Sequence, residues 1–448
     1  MSWTKIVPTL LLTIIYAHSF LATAFQTNKI SFHASPIQRH LKLRPFLSTS
    51  TSFNEKRNVS SFTKTFMTKN IQDVEIQSMN QSQNILQSRY ITKVEKYSRL
   101  PVWPVWNGVF IFLLSKIFGN ELASKVENSI GGRVCPNFFQ PDQKSSPFIM
   151  LVHHVHSFTP YDPLRFIQST FFPEGFPSHP HRGFITVTYC LNGGMVHRDS
   201  MGVKQIYGAE KRHGGKHTQW LHTGAGLLHE EMWDIQSQNI FDSSKQELYQ
   251  LWLNVPSYDK LTSPKIELLG GENSTPTIEK SNTKTIVICG EYDGTSASVE
   301  TSSDVTILHV QMDSGSTWHH KASATHETVI LYLRQGSISM KGYDIDTDNV
   351  EENMILETHS TAYLSPQGDD LTITCHSKDI KADFLLLLGA PLDEPISAQG
   401  SMVMNSPTEI NRAYADYQRG EMGAPWDQAL SDEEWKLHTQ KYPSRYSL

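Results

Sequence analysis

Cysteine is scarce in this chain of 448 residues: Cys135, Cys190, Cys289 and Cys375 are the whole set, widely spaced and without a C-x-x-C pair. That spacing excludes a zinc ribbon and a disulfide framework and predicts isolated, buried thiols. Charge is sparse as well, at 19% of residues with a formal net of −6, which fits neither a disordered polyelectrolyte nor a polybasic nucleic-acid binder. Long unbroken apolar runs are missing. Leu100–Phe118 carries Trp103, Trp106 and the run Val109–Leu114, but Pro101, Pro104, Asn107, Gly108 and Lys116 interrupt it, so it does not read as a transmembrane helix. Its aromatic-then-apolar order suits a membrane interface or an extension packed on the body.

Histidine, by contrast, is concentrated. Ten of the twenty lie at 153, 154, 156, 179, 181, 197, 213, 217, 222 and 229, a local excess that hints at metal or acid–base chemistry.

The first residues read as an address rather than as fold. Lys5, an apolar run from Ile6 to Tyr16 and the A-x-A site Ala22-Thr23-Ala24 predict a signal peptide over 1–24. Residues 25–70 are rich in Ser and Thr and hold eight basic residues against the single acid Glu55, the composition of a transit peptide. Ala22-Thr23-Ala24-Phe25 followed by that stretch resembles the bipartite presequence of algae with complex plastids, which implies import into the plastid; plain secretion is the alternative. Without residues 1–70 the chain keeps 30 of its 39 basic and 44 of its 45 acidic residues, a net of −14, and phosphate backbones would repel it. No direct nucleic-acid binding is expected.

Beyond an extension at 71–128, expected to be partly helical, short apolar runs at close intervals mark an all-β chain. Phe148–His153, Ile185–Asn192, Met195–Asp199 and Leu248–Val255 read as strands of a first block, 129–260, with Gly193-Gly194 as a hairpin turn. A polar connector, 261–284, leads to a second block, 285–420, with strands at Thr285–Cys289, Val305–Gln311, Thr328–Arg334, Ser337–Lys341, Leu371–Cys375 and Phe384–Leu388. Two such blocks fit two tandem jelly-roll barrels. Ser406-Pro407-Thr408-Glu409 is a capping box with proline at the first helical position. It predicts a helix with Ile410, Ala413, Tyr414 and Tyr417 on one face, ended by Gly420 and followed by a tail, 421–448.

His179-Pro180-His181 carries the chemical argument. Side chains at i and i+2 of a strand point the same way, so both imidazoles can face a barrel interior. His229 and Glu231 repeat the spacing. Two such pairs offer three nitrogens and a carboxylate at one point, a donor set for Fe(II), Mn(II), Ni(II) or Zn(II). His319, His320, His326 and Glu327 are a weaker imitation in the second block, without a downstream H-x-E pair. Placement at the rim or just behind the ligands, and not ligation, is expected for His153, His154 and His156, and structural ion pairs or exposed charges for Arg182, Asp199 and Glu230.

The surrounding residues add a family. Phe176-Pro177-Ser178-His179-Pro180-His181-Arg182-Gly183-Phe184, with Thr186-Val187-Thr188-Tyr189 and His197-Arg198-Asp199-Ser200-x-Gly202, resembles the first signature of pirins. Gln219-Trp220, Thr223, Gly224 and Gly226 leading into His229-x-Glu231-Met232 resembles the second; Gln250-Leu251-Trp252-Leu253-Asn254 and Met404-Asn405 match later landmarks. The resemblance spans roughly 129–420. It implies two cupin barrels, a metal that is typically iron on His179, His181, His229 and Glu231 (with Mn, Ni, Cu or Zn as alternatives), and a second cupin without metal. Two departures stand out: Ile185 replaces a family glutamate, and Glu210–His217 is a longer, histidine-rich loop, read either as an altered rim or as a solvated loop.

Two functions remain open from the sequence. As a quercetinase-like dioxygenase the chain would act on a flavonol or related phenolic or enediol substrate, with Glu231 also accepting the substrate's hydroxyl proton. As an iron-dependent redox sensor it would present a surface to a protein partner. A monomer is expected in either case.

Overall fold

A computed structural model describes residues 88–97, 114–119, 122–123, 131–137, 145–158, 174–235, 244–271, 273–344 and 349–446. The expected signal and transit segments, 1–70, together with Trp103 and Trp106, lie outside them. The expected strands all form, most of them a residue or more longer than their apolar runs. In chain order the first are β1 (Ile91–Lys96), β2 (Gly131–Asn137), β3 (Phe148–Phe158), β4 (Gly175–His181), β5 (Phe184–Asn192), β6 (Gly194–Asp199), β7 (Lys204–Gly208), β8 (Thr218–His222), β9 (Leu227–Trp233), β10 (Ser244–Asn254) and β11 (Lys265–Leu269).

The first barrel is a sandwich of two sheets, one ordered β11-β8-β5-β10-β3-β2 and the other β4-β9-β6-β7. The second is one rolled sheet of eleven strands centred on Val305–Met312, Ala382–Gly389 and Thr328–Gln335. Strands at the centre read as near-continuous apolar runs because both faces are covered. Along Thr328–Gln335, Val329, Leu331 and Leu333 fill the second barrel, whereas Ile330 and Tyr332 turn outward onto the first. From the first barrel, Ile185, Val187 and Tyr189 of β5 and Tyr249, Leu251 and Leu253 of β10 meet them in the same buried cluster. Each fully buried Leu or Ile there stabilises by roughly 1.5–3 kcal/mol, so this seam joins the barrels firmly.

A polar network is set into the seam. Glu247 accepts from His153 Nε2 at 2.9 Å and Arg334 Nε at 2.7 Å; Arg334 also reaches Asp383 at 3.0 Å, and His309 lies between Asp383 (3.1 Å) and the Tyr189 hydroxyl (2.8 Å). His153 is thus a seam residue and not a rim residue, a correction to the sequence reading. Buried ion pairs of this kind stabilise little against an apolar replacement; what they supply here is register, since any slip would strand a charge.

Domain boundaries also shift. β1 lies in the 71–128 extension, yet it pairs antiparallel with Ser360–Leu364 of the second barrel. The polar connector 261–284 holds β11, which pairs with β8, and the strand Thr277–Lys280, which pairs with Thr283–Cys289. At the other end, the hairpin Ser397–Gln399/Met402–Met404 and the helices α1 (Pro407–Gln418) and α2 (Asp432–Lys441) return to the first barrel. There Met402, Met404, Ile410, Ala413, Met422, Trp426 and Trp435 bury against Leu228. At the start of α1 the Ser406 side chain accepts from the Glu409 N–H as expected, but the Glu409 carboxylate accepts from the Asn405 N–H at 3.1 Å and not from that of Ser406, so only half of the capping box forms; Gly420 follows the helix at φ +75°. Among the described residues no helix is long and apolar enough to cross a membrane.

Candidate metal centre

Strand β4 reads GFPSHPH, with two prolines that remove ladder donors, and it occupies the edge of its sheet where such losses are tolerated. His179 lies directly across from His229 on β9, and His181 follows two residues on, so three rings share one face. Their centroids stand 4.5–4.8 Å apart, and one nitrogen from each lies within 4.8 Å of the others. His181 and His229 are buried and His179 is half-buried, which leaves one edge of the cluster toward solvent.

The hydrogen bonds fix which nitrogens are offered. His179 Nδ1 donates to the Pro177 carbonyl at 2.7 Å, so its Nε2 carries the lone pair. Asp199 accepts from His197 Nε2 at 3.2 Å; the His197 Nδ1 is then an acceptor, 3.4 Å from His229 Nδ1. The proton of His229 therefore sits on Nδ1, and its Nε2, fully buried, has no partner among the described residues. Asp199 is itself anchored by the backbone N–H groups of Met201 (2.9 Å) and Val203 (3.0 Å). His179 and His181 bring their Nε2 atoms to 2.9 Å of each other. Burial lowers all three imidazole pKa values, those of His181 and His229 well below the ordinary value, so the rings are neutral at neutral pH. Three neutral, convergent lone pairs, one of them orphaned in the interior, fit a divalent metal ion.

Glu231 lies two residues beyond His229 on the same face of β9, outside the close group of three. Its carboxylate accepts from Gln250 Nε2 at 2.8 Å, from Thr188 Oγ1 at 3.0 Å and from the Tyr207 hydroxyl at 3.3 Å. Thr188, Tyr207, Gln250 and the bracing His197 escaped the sequence reading as site residues. An inward i+2 parity check on β5, β6, β7 and β10 would have found them.

The other candidates sort cleanly. Arg182 pairs with Asp416 of α1 at 2.7 Å, and Glu230 pairs with Arg198 and accepts from Trp426 Nε1 at 2.8 Å, so both are structural as expected. Gly183 turns the chain from β4 into β5 at φ +85°, and a Cβ there would sit 2.1 Å from the Val403 carbonyl oxygen. His319 faces outward, with Nδ1 3.0 Å from Thr372 Oγ1, and His326 pairs with Asp304 at 2.9 Å. Ile185 lies on the outer face of β5, away from Glu231, so the substitution there leaves the metal centre untouched. The Glu210–His217 loop is not merely solvated: His213 is buried, and Asp234 accepts from its Nε2 at 3.0 Å.

The comparisons agree with this geometry. The family described as Pirin matches residues 132–253, and the Pirin C-terminal cupin domain matches 307–423. "Pirin-1" of Arabidopsis thaliana is 30% identical over 310 residues, covering 69% of this chain and 95% of that protein. "Pirin" of Homo sapiens is 30% identical over 317 residues, covering 69% and 94%. Among solved structures, a quercetin 2,3-dioxygenase from Acinetobacter baumannii superposes with a TM-score of 0.53 at 27% identity, covering 66% of this chain and 99% of that one. With both cupin halves matched, and relatives covered over almost their whole length, the chain belongs to the pirin family.

Proposed function

We propose that this protein is an iron-dependent, quercetinase-like dioxygenase acting on a flavonol or a related phenolic or enediol substrate. The observation that carries the reading is the trio His179, His181 and His229, buried on two sides and open at His179. Glu231 completes the ligand set, and iron is first among the metals that this set suits. When bound, the ion would supply a Lewis acid and a template for substrate and O2. The chain's own part is to hold three lone pairs at one point and to keep Glu231 oriented by Thr188, Gln250 and Tyr207, from where it takes the substrate's hydroxyl proton. Trp252, half-buried beside His181, offers an aromatic wall to a flat substrate, with the buried Phe184 packed against it at a centroid distance of 4.6 Å.

Oxygen consumption by iron-loaded protein with quercetin tests this. Glu231→Gln should lower turnover by about 100- to 10,000-fold while metal content changes far less, because an amide oxygen still coordinates but takes no proton. No uptake above that of free iron across a panel of flavonols and catechols would end the enzymatic reading.

One observation favours a second reading, a redox sensor. The two strands whose inner faces steady Glu231 put Tyr189 and Glu247 on their outer faces, against the second barrel. Under that reading, oxidising the metal would change affinity for a protein partner with no substrate consumed. We also place the protein in the plastid on the strength of residues 1–70. A reporter fused to them should enter the organelle, and Phe25→Ala should leave it outside.

A further inference from the structure

On the back of β5 a second feature stands apart from the metal centre. Ile185 pairs with His222 of β8 and Val187 with Trp220, while β11 sets Lys265 beside His222 and Glu267 beside Trp220. Strand alternation puts this whole row on the outer face of the first barrel. The loop Val299–Ser302, from the second half of the chain, lies over it and encloses a cleft of about 350 Å3, counting its open mouth.

Two side chains of the cleft are more than nine-tenths buried yet leave a polar atom unsatisfied among the described residues: Trp220 Nε1 and His222 Nδ1. A native interior rarely tolerates this, since each such atom costs about 1–3 kcal/mol. His222 is not adrift. Its Nε2 donates to Asp259 Oδ2 at 2.9 Å, and the same oxygen accepts from Ser302 Oγ at 2.6 Å, a chain that ties the two halves together across the cleft. In the tautomer with the proton on Nε2, Nδ1 is an acceptor, and Trp220 Nε1 is a donor. Ile185 and Val299 supply apolar walls. The mouth carries Glu267 and Glu300 against the single cation Lys265, which disfavours an anion.

We propose that this cleft is a second binding site, taking the hydroxyl end of a small uncharged compound, a single-ring phenol or a short alcohol. One hydroxyl satisfies both orphans: its oxygen accepts from Trp220 and its proton goes to His222, while the ring or chain lies on Ile185 and Val299. The 350 Å3 includes the open mouth, so the enclosed part is far smaller and excludes a polycyclic guest. The site is independent of the metal and of the proposed reaction.

The test uses the full, metal-loaded chain labelled with 15N-tryptophan, its Trp220 indole resonance assigned through Trp220→Phe, and phenol as the probe. The expected result is a saturable shift of that resonance, at least tenfold weaker for toluene and absent for benzoate. His179→Ala should leave the shift intact, whereas Val299→Phe and Ile185→Phe, each filling the cleft from a different half of the chain, should abolish it with the thermal unfolding midpoint showing that the variant is folded. A shift that never saturates, that persists in both filled variants, or that is replaced by cross-peaks to bound water alone would overturn the proposal.

Discussion

The two barrels share a fold and differ inside. The first surrounds its axis with His179, His181, His197, His229, Glu231, Thr188, Tyr207 and Gln250; the second fills the same kind of space with Val287, Leu308, Val310, Leu331, Leu333 and Phe384. Burying a polar side chain without a partner costs several kcal/mol, so the first interior stands only because its groups bond one another and leave their surplus lone pairs for a cation. Among the described residues the second interior holds no such cluster of imidazoles. The barrel architecture therefore says little about chemistry, and the inward residues of two or three strands decide it.

The contrast breaks most visibly with the metal. His229→Ala should reduce metal content, measured by elemental analysis after dialysis, to less than a tenth of wild type, and His320→Ala should leave it unchanged. Equal losses in the two variants would mean that the second barrel also binds. Next in size is the opposite lesion: Leu386→Ala, in the interior of the second barrel, should cost about 2–5 kcal/mol in urea unfolding with metal stoichiometry intact. Subtler is the brace behind the ligands. His197→Phe should weaken metal affinity by about 10- to 100-fold in a chelator competition, because His229 loses the acceptor that sets its tautomer.

The smallest effect concerns the seam. Against the cost of burial, His309 and then Arg334 hold Asp383 down to about 2, and His153 and Arg334 hold Glu247 below the usual carboxylate range. Both folded-state values are depressed. The network's stabilisation is then complete above the ordinary carboxylate pKa of about 4, and it is lost as pH falls through about 2. Urea titrations of the metal-free His229→Ala variant at pH 5, 4, 3 and 2 should show the decline below pH 4, and a flat profile would remove these carboxylates from the account.

How much of this was legible follows from the same contrast. The histidine trio could be read because i, i+2 histidines in strands have one geometric meaning, and α1 could be read because its cap is local. The brace His197–Asp199 lies within the motif His197-Arg198-Asp199, but its role depends on β6 pairing with β9, which no local pattern states. His153 was misplaced for a similar reason: an edge reading of β3 cannot foresee that Arg334, far along the chain, closes over it. The crossing of β1 into the second barrel is likewise a long-range choice, invisible to periodicity.

The exchange of ends bears on when the centre can be finished. Arg182 and Gly183, directly after the ligand strand, are locked by residues near the far end of the chain: Asp416, the Tyr446 hydroxyl at 2.9 Å from Arg182, and the Val403 backbone, which bonds Arg182 at 3.0 Å. A ribosome delivers His179 and His181 long before those partners exist. The three imidazoles can assemble early, but their supporting turn is clasped only when the last forty or so residues have emerged or, in an imported chain, have cleared the membrane. A chain stopped after the second barrel would carry the three imidazoles on an unclasped hinge.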